Sequence, residues 1–563
     1  MSVSNTSFSV SFDGSAASGG AASGSAASGG AAASDMPQYS VFAPPAPRDS
    51  STYGPEYRNP LPLKTDDDNI GEESDSYKYT HRYNTKTHKF VGCIAWVGAR
   101  AGKSGPSHYL AVGQQAVLAD LARYRLTKEH VDSMVETIDA HIGPGVFDRT
   151  EFDLIVANGG VLPFRAHVEP EGTVLPRGVP MIIIESTLSP FIVPFLESHI
   201  QRAWYPASVA TRSNEYREVV YKYLNKTTEA KTAEACFPFL IHDFGVRACP
   251  TNVQARIGGM AHLETGALGT DNVPALKWCQ KLMPDIDAAT GKPKMPGFSV
   301  PAGEHNVAYS WGKSGEHIPL ETALDAYPTG FLSWPIDSFD CQAFVDRVTQ
   351  AGPLRTRLMA RKGKFVLRPD SPWAKGYSHA QTIAAVLNRI KENLSDLTPE
   401  TGGITVNAKG YIVLPAWLGI IYGDSVTVAD VDESLALITD DTNRFSSQNT
   451  VFGVGGNLLQ NGITRGWLDF AEKTCEQLYQ SLETGVVEVH PVGKDAIGKV
   501  SLKGAQKVIK VDGTFKVVLE SDPEFKDCPS TMVVMYEDGR LFNFDSLDTI
   551  RARVASYTKY TFE

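Results

Sequence analysis

The sequence predicts an α/β protein: an irregular parallel α/β barrel, plus a mixed α+β domain built from the N-terminal and C-terminal segments. Three patterns lead there. From about residue 236, short apolar runs end in polar or charged residues and are usually followed by a helical segment. The runs are FPFLIHDFG (237–245), GFSVPAGEH (297–305), GFLSWPIDSFD (330–340), KFVLRPD (364–370), WLGIIYGDS (417–425) and TVFGVGGN (450–457). Strands alternating with helices argue for a parallel sheet or barrel. The segments between them have helical spacing: Ile383, Val386, Leu387, Ile390 and Leu394 fall on one helix face. Finally, residues 500–563 alternate strand-like runs (KVIKV, FKVVLE, TMVVMYED), a tail expected to fold back onto the N-terminal domain.

The elements follow in order. Residues 14–34 read GSAASGGAASGSAASGGAAAS, and 35–70 are rich in Pro, Asp and Ser. With so few large apolar side chains, 1–70 is expected to be a disordered leader, because burial cannot offset the entropy of ordering it. Its removal should leave turnover nearly intact. Residues 71–235 form the first part of the mixed domain, with strands at Phe90–Val97 and Pro180–Ile184. Helices are expected over Phe191–Leu224, broken at the Tyr205–Pro206 pair. Residues 236–464 make the barrel, and 465–563 complete the mixed domain. In such barrels the chemistry sits at the C-terminal ends of the strands.

Composition narrows the function classes. The 563 residues carry a net charge of −11, of which residues 1–75, with ten acids and three bases, contribute −7. The remaining 488 residues are only −4, so there is no electrostatic footprint for a nucleic-acid duplex. An anionic substrate must be held by a local group of Arg and Lys. No apolar run reaches 18 residues, so no membrane span is expected. The N-terminus lacks a basic region followed by an apolar core, and the seven cysteines show no C-x-x-C spacing. A reducing cytoplasm is the expected location.

Two groups of residues invite a chemical reading. GARAGKS (98–104) follows an apolar strand, but the phosphate-binding loop needs G-x-x-x-x-G-K-[ST] and here one residue is missing. A basic surface loop is the expected reading, with Arg100 a possible phosphate contact. The strand ends are more informative. Arg247 and Arg368 can each offer a planar fork to phosphate. Asp370 and Asp424 end two different strands, where they could hold Mg²⁺ directly or through water, or bond ribose hydroxyls. Gly455 and Gly456 sit at a strand-to-helix turn, where backbone N–H groups can approach a phosphate.

These residues lie in a set of motifs. HDFGVR (242–247), ARIGGMAHLETGALGTD (255–271), FSVPAGEH (298–305), DSFD (337–340), LRPDS (367–371), GDS (423–425) and FGVGGNLLQ (452–460) occur in this order. Upstream stand SDSYKYTH (74–81), VEPEGTVLPRG (168–178) and AWYPASVATRS (203–213). Together they resemble nicotinamide phosphoribosyltransferases, over roughly 72–563. The resemblance implies a homodimeric type II phosphoribosyltransferase with active sites at the subunit interface. It would join nicotinamide to 5-phosphoribosyl 1-diphosphate, with Mg²⁺ as cofactor and optional coupling to ATP.

Residue by residue, the resemblance implies that Phe244 and the partner subunit's Tyr77 sandwich the pyridine ring, with Asp75 beside Tyr77. Asp271 would accept from the carboxamide NH₂ and disfavour nicotinate. Ser299 and Val300 would line the ring pocket. Arg247, Arg368, Gly455, Gly456 and Arg465 would hold phosphates, with Lys473 a further contact. Asp370, Gly423 and Asp424 would serve the ribose and Mg²⁺. His305 would be phosphorylated by ATP, oriented by Asp337. The chain departs from the family at Pro372 in place of Gly, at Ala248–Cys249–Pro250–Thr251 and at Asn457 in place of a third Gly. Alternatives are a nicotinate phosphoribosyltransferase, a catalytically silent nucleotide-binding relative and a P-loop ATPase.

Overall fold

The computed structural model describes residues 52–64, 68–85, 88–100, 105–188, 190–461, 463, 470–481, 487–491 and 503–563. In chain order its strands are β1 (Glu56–Tyr57), β2 (His88–Ala99), β3 (His108–Ala111), β4 (Phe164–Val168), β5 (Thr173–Pro176), β6 (Ile182–Ser186), β7 (Ile241–Asp243), β8 (Gly269–Thr270), β9 (Thr329–Pro335) and β10 (Lys362–Arg368). There follow β11 (Thr405–Val406), β12 (Ile412–Val413), β13 (Leu418–Tyr422), β14 (Thr450–Val454), β15 (Phe470–Ser481), β16 (Val487–Pro491), β17 (Gln506–Val511), β18 (Thr514–Leu519), β19 (Val533–Glu537) and β20 (Arg540–Phe542).

One sheet is antiparallel and draws on both ends of the chain, in the order β1-β20-β19-β4-β6-β2-β15-β16. Its central strands β4 and β6 are buried at every position, which is why FRAHV and IIIES do not alternate apolar with polar. The polar side chains among them are paired: Arg165 bonds Glu185 and Glu537, and His167 bonds Glu185 at 3.0 Å. Of the tail, β19 and β20 join this sheet, whereas β17 and β18 form a separate hairpin.

The second sheet is parallel, in the order β8-β7-β14-β13-β10-β9. Its two edges are joined by Phe298–Gly303. Thr270 N donates to Phe298 O at 2.9 Å, and Gly303 N donates to Ser333 O at 2.9 Å. The ring is therefore a barrel with one irregular stave, in which Pro301 has no N–H to give. The helix His379–Asn393 starts with a capping box, Ser378 with Gln381, and buries Ile383, Val386, Leu387 and Ile390 against the barrel core.

Two expectations need correction. The Tyr205–Pro206 pair does not break a helix; it lies in the first turn of the helix Trp204–Thr227. A first-turn N–H has no intrahelical acceptor, so proline loses nothing there. Ordered structure also begins before residue 71, inside the stretch expected to be a disordered leader. Glu56–Tyr57 pairs with β20, the Tyr57 ring stacks on Phe544 with centroids 4.2 Å apart, and Leu61 and Ile70 are buried. Polar composition over 35–70 masked these few apolar anchors. Residues 1–51 lie outside the described residues.

Candidate active site at the barrel mouth

Every barrel strand places a chemically useful residue just past its C-terminal end. Phe244 follows β7, Asp271 follows β8, and Asp337 lies two residues beyond β9. Arg368 ends β10 with Asp370 two residues on; Gly423 and Asp424 follow β13, and Gly455 and Gly456 follow β14. Ser299 and Val300 sit on the closing stave. The parallel ladder makes this convergence unavoidable, because all the strands point the same way.

A cavity of about 630 Å³ opens here, and Phe244, Asp271, Ser299, Val300, Arg368 and His242 are among the residues that line it. One edge of the Phe244 ring lies against Gly453, where an added Cβ would come within 2.1 Å of Phe244 Cε2. Only glycine allows that seat. The half-exposed Asp271 carboxylate accepts, at Oδ1, from Ser299 Oγ and from His242 Nε2 at 3.2 Å. Partial burial pushes its pKa up, but the bonds from His242 and Ser299 and the charges of His242 and Arg368 outweigh this and hold it below the usual carboxylate value. Beneath the mouth, buried Asp243 accepts from Gly245 N at 2.7 Å and Asn272 Nδ2 at 3.1 Å, tying the ends of β7 and β8 together.

A second cluster stands beside the first. His305 Nε2 and Asp337 Oδ1 are 2.9 Å apart, and Asp337 Oδ2 accepts from Asp370 N at 3.1 Å. Asp337 is almost wholly buried and His305 about a quarter exposed. The aspartate therefore fixes the imidazole and leaves Nδ1 as the ring nitrogen it does not engage. Arg368 Nη2 donates to Gly303 O at 3.1 Å, and its buried Nε has no partner among the described residues. An orphaned guanidinium N–H beside a cavity suits an incoming anion.

An added Cβ on Gly423 would lie 3.4 Å from Asp370 Oδ1, and Asp370 is near enough for its charge to act on Asp424. Burial, with the charges of Asp370, Asp337 and Asp430, raises the Asp424 pKa despite nearby His379. Mutually repelling carboxylates of this kind favour a cation. No group of three His, Cys, Asp or Glu converges among the described residues. Two carboxylates alone would hold a hard cation only if water and substrate oxygens completed its shell. Asn457 Nδ2 donates to Ser425 O and braces the loop, in which Ser425 takes a left-handed φ of 48°.

Some expected residues lie elsewhere. Tyr77 is 55% exposed on the segment Ser76–Thr85, beside His81, and neither it nor Asp75 lines the cavity. Arg247 is exposed on the turn after β7. Arg100 follows β2, and its carbonyl accepts from Arg177 Nε at 3.1 Å, away from the cavity lining. Lys473 lies in β15 opposite Trp96, with its side chain outside the described residues; Arg465 and residues 101–104 lie outside them entirely. His242 was missed. The signal existed: residues two apart on a strand share a face, so His242 had to look the same way as Phe244. The two-residue strand β8 was also missed, being too short to show a period.

Comparison with known proteins gives the family and the fold. The profile of the nicotinate phosphoribosyltransferase (NAPRTase) family matches residues 239–527, a little over half of the chain. The nicotinamide phosphoribosyltransferase of Xanthomonas campestris pv. campestris (strain 8004) is 29% identical over 499 residues, covering 86% of this chain and 98% of that protein. That of Acinetobacter baylyi is 28% identical over 410 residues, 70% of this chain and 77% of the relative. The crystal structure of nicotinate-nucleotide pyrophosphorylase from Pyrococcus furiosus superposes with a TM-score of 0.51 at 15% identity, covering 89% of this chain and 98% of that one, which shows a shared fold. With the family profile spanning the barrel and its strand-end residues, the chain belongs to the nicotinate phosphoribosyltransferase family and is a phosphoribosyltransferase.

Proposed function

We propose that the protein transfers the phosphoribosyl group of 5-phosphoribosyl 1-diphosphate to nicotinamide, giving nicotinamide mononucleotide and pyrophosphate in NAD salvage. The observation that carries this is Asp271, an ionised carboxylate in the cavity that holds Phe244. It can accept a hydrogen bond from an amide NH₂. Against nicotinate it would set two negative charges together, a repulsion of about 4 kcal/mol at 4 Å and an effective dielectric of 20, reduced by solvent at a half-exposed group. The Xanthomonas and Acinetobacter relatives, both called nicotinamide phosphoribosyltransferases, support the same choice of base.

In the reaction the bond from ribose C1 to pyrophosphate breaks while the pyridine nitrogen attacks C1. Phe244 positions the ring. Arg368, Arg247 and the N–H groups at Gly455–Gly456 would neutralise phosphate charge, which is where this chemistry needs most help. Asp370 and Asp424 would hold Mg²⁺, which supplies charge neutralisation of the pyrophosphate when bound. His305 would take the γ-phosphoryl group of ATP on Nδ1 with release of ADP, and hydrolysis of that phosphohistidine would favour product. The active assembly in this reading is a cytoplasmic homodimer, with the partner subunit's Tyr77 on the open face of the nicotinamide. Light scattering should give twice the chain mass.

The test supplies purified protein with 5-phosphoribosyl 1-diphosphate, Mg²⁺ and either nicotinamide or nicotinate, with and without ATP. Mononucleotides are resolved by chromatography. Nicotinamide mononucleotide should dominate and rise with ATP. His305→Ala should keep the slow basal transfer and lose the ATP effect. A dominant nicotinate product would overturn the reading of Asp271, and equal stimulation of the His305 variant would overturn the phosphohistidine.

A further inference from the structure

We propose that His242 is a positioning residue that sets base specificity by presenting one oxygen of Asp271 to the substrate; this rests on the reading of the base pocket given above. Among the described residues, both donors to Asp271, His242 Nε2 and Ser299 Oγ, reach the same atom, Oδ1. Oδ2 takes no hydrogen bond from any described residue and is the oxygen left for a ligand N–H. An ionised carboxylate can only accept, so His242 must carry its proton on Nε2.

The ring is fixed from its other side. An added Cβ on Gly269 would lie 2.6 Å from His242 Nδ1, so glycine at that position is what lets the ring lie against β8. The same imidazole lies 5.0 Å from the Phe244 ring, tilted by 55°. It therefore touches both halves of the pocket, the stacking ring and the acceptor, while lining the cavity itself. His262 shows what a purely structural histidine looks like in this fold. It is wholly buried, with its two nitrogens taken by Ser213 Oγ at 2.8 Å and Gly269 O at 3.3 Å, and it does not reach the cavity.

The experiment compares wild type, His242→Phe, His242→Gln and Gly269→Ala. For each, kcat and KM are measured with nicotinamide, nicotinate and 5-phosphoribosyl 1-diphosphate, alongside Tm. His242→Phe keeps a flat ring and removes the donor. Its KM for nicotinamide should rise about tenfold, the size of one charge-assisted hydrogen bond, and its preference over nicotinate should fall by a similar factor. kcat and the KM for 5-phosphoribosyl 1-diphosphate should stay near wild type. Glutamine, with an N–H at comparable reach, should restore most of the preference. Gly269→Ala displaces the ring without changing a polar group and should copy His242→Phe; it decides the matter if that variant does not fold.

An unchanged base preference in the folded variants overturns the proposal. So does a parallel rise in KM for both substrates that glutamine fails to rescue. Wild-type protein that makes no nicotinamide mononucleotide instead fails the underlying reading, and that result is seen before any variant is made.

Discussion

At the scale of single residues, charge decides most of the chemistry. Asp271 is held ionised below the usual carboxylate range by His242, Ser299 and Arg368 against the opposing effect of burial. Discrimination against nicotinate should therefore persist as pH falls through the ordinary carboxylate range, and fade only when Asp271 itself gains a proton. Asp271→Asn should cost about 1.5–3 kcal/mol of that discrimination, tenfold or more in the ratio of kcat/KM values; an unchanged ratio would remove Asp271 from this role. Asp424 is shifted the other way, upward, by burial and by Asp370, Asp337 and Asp430. A carboxylate with a raised folded-state pKa supports folding only while protonated, and that support disappears as pH rises through the folded value. At neutral pH the ionised Asp424 is thus a strain on the free protein that a cation bound there would relieve. Asp424→Asn should raise the Tm of the free protein and shrink the Tm increase produced by Mg²⁺ with 5-phosphoribosyl 1-diphosphate. Thermal melts with and without those ligands check both signs.

At the scale of elements, strand ends and glycines share the work. β14 runs TVFGV, and Gly453 inside it gives up packing so that Phe244 can lie across the strand. Gly453→Ala should leave the barrel folded, because the backbone there is ordinary β-strand. It should push the ring off its seat and raise KM for the base tenfold or more, roughly the worth of an aromatic stack at about 0.5–1.5 kcal/mol plus the lost position of the ring. Steady-state kinetics with far-ultraviolet circular dichroism separate the two effects. β1 shows the opposite case, a two-residue strand in a polar stretch, fixed by the Tyr57 hydroxyl on Leu282 O at 2.7 Å and by the stack on Phe544. Trimming the chain to residue 51 spares this contact, and trimming it to residue 70 does not.

At the scale of the whole molecule, a buried pair of acids, Glu171 and Glu264, sets a pH dependence of stability. Glu171 follows β4, and its carboxylate accepts from Gly113 N at 2.6 Å and Gln115 N at 2.8 Å. Glu264 ends the helix Asn252–Glu264, and neither of its oxygens has a partner of acceptable geometry among the described residues. Burial pushes Glu171 up to about 7, and burial with the charge of Glu171 raises Glu264 well above the usual carboxylate value, against the pull of Arg551. Asp545 and Cys279 also face the pair. Both acids support the fold while protonated, and the support from Glu171 is lost as pH rises through about 7. Tm should fall between about pH 6 and pH 9, and Glu264→Gln should flatten that fall by keeping a neutral group of the same shape. A wild-type profile as flat as the variant's would show that the pair stays neutral throughout.

The sequence by itself determined the barrel, because strand ends and helix faces are local patterns: KFVLRPD and WLGIIYGDS each announce a strand and its terminal chemistry, and the 383–394 spacing announces a helix. It also determined the family, through motifs whose residues reach one mouth only if all the strands are parallel. Tertiary structure alone decided what depends on distant partners. Phe298–Gly303 looks like one of the six strand runs but forms no regular strand and serves as the closing stave, bonded to Thr270 on one side and Ser333 on the other. Tyr57 is anchored by Phe544, nearly the full length of the protein away, so no window of sequence could reveal it. His242 became part of the pocket only when β8 brought Asp271 to its Nε2 and Gly269 made room for its ring. Periodicity shows which way a side chain points; only packing shows what it meets there.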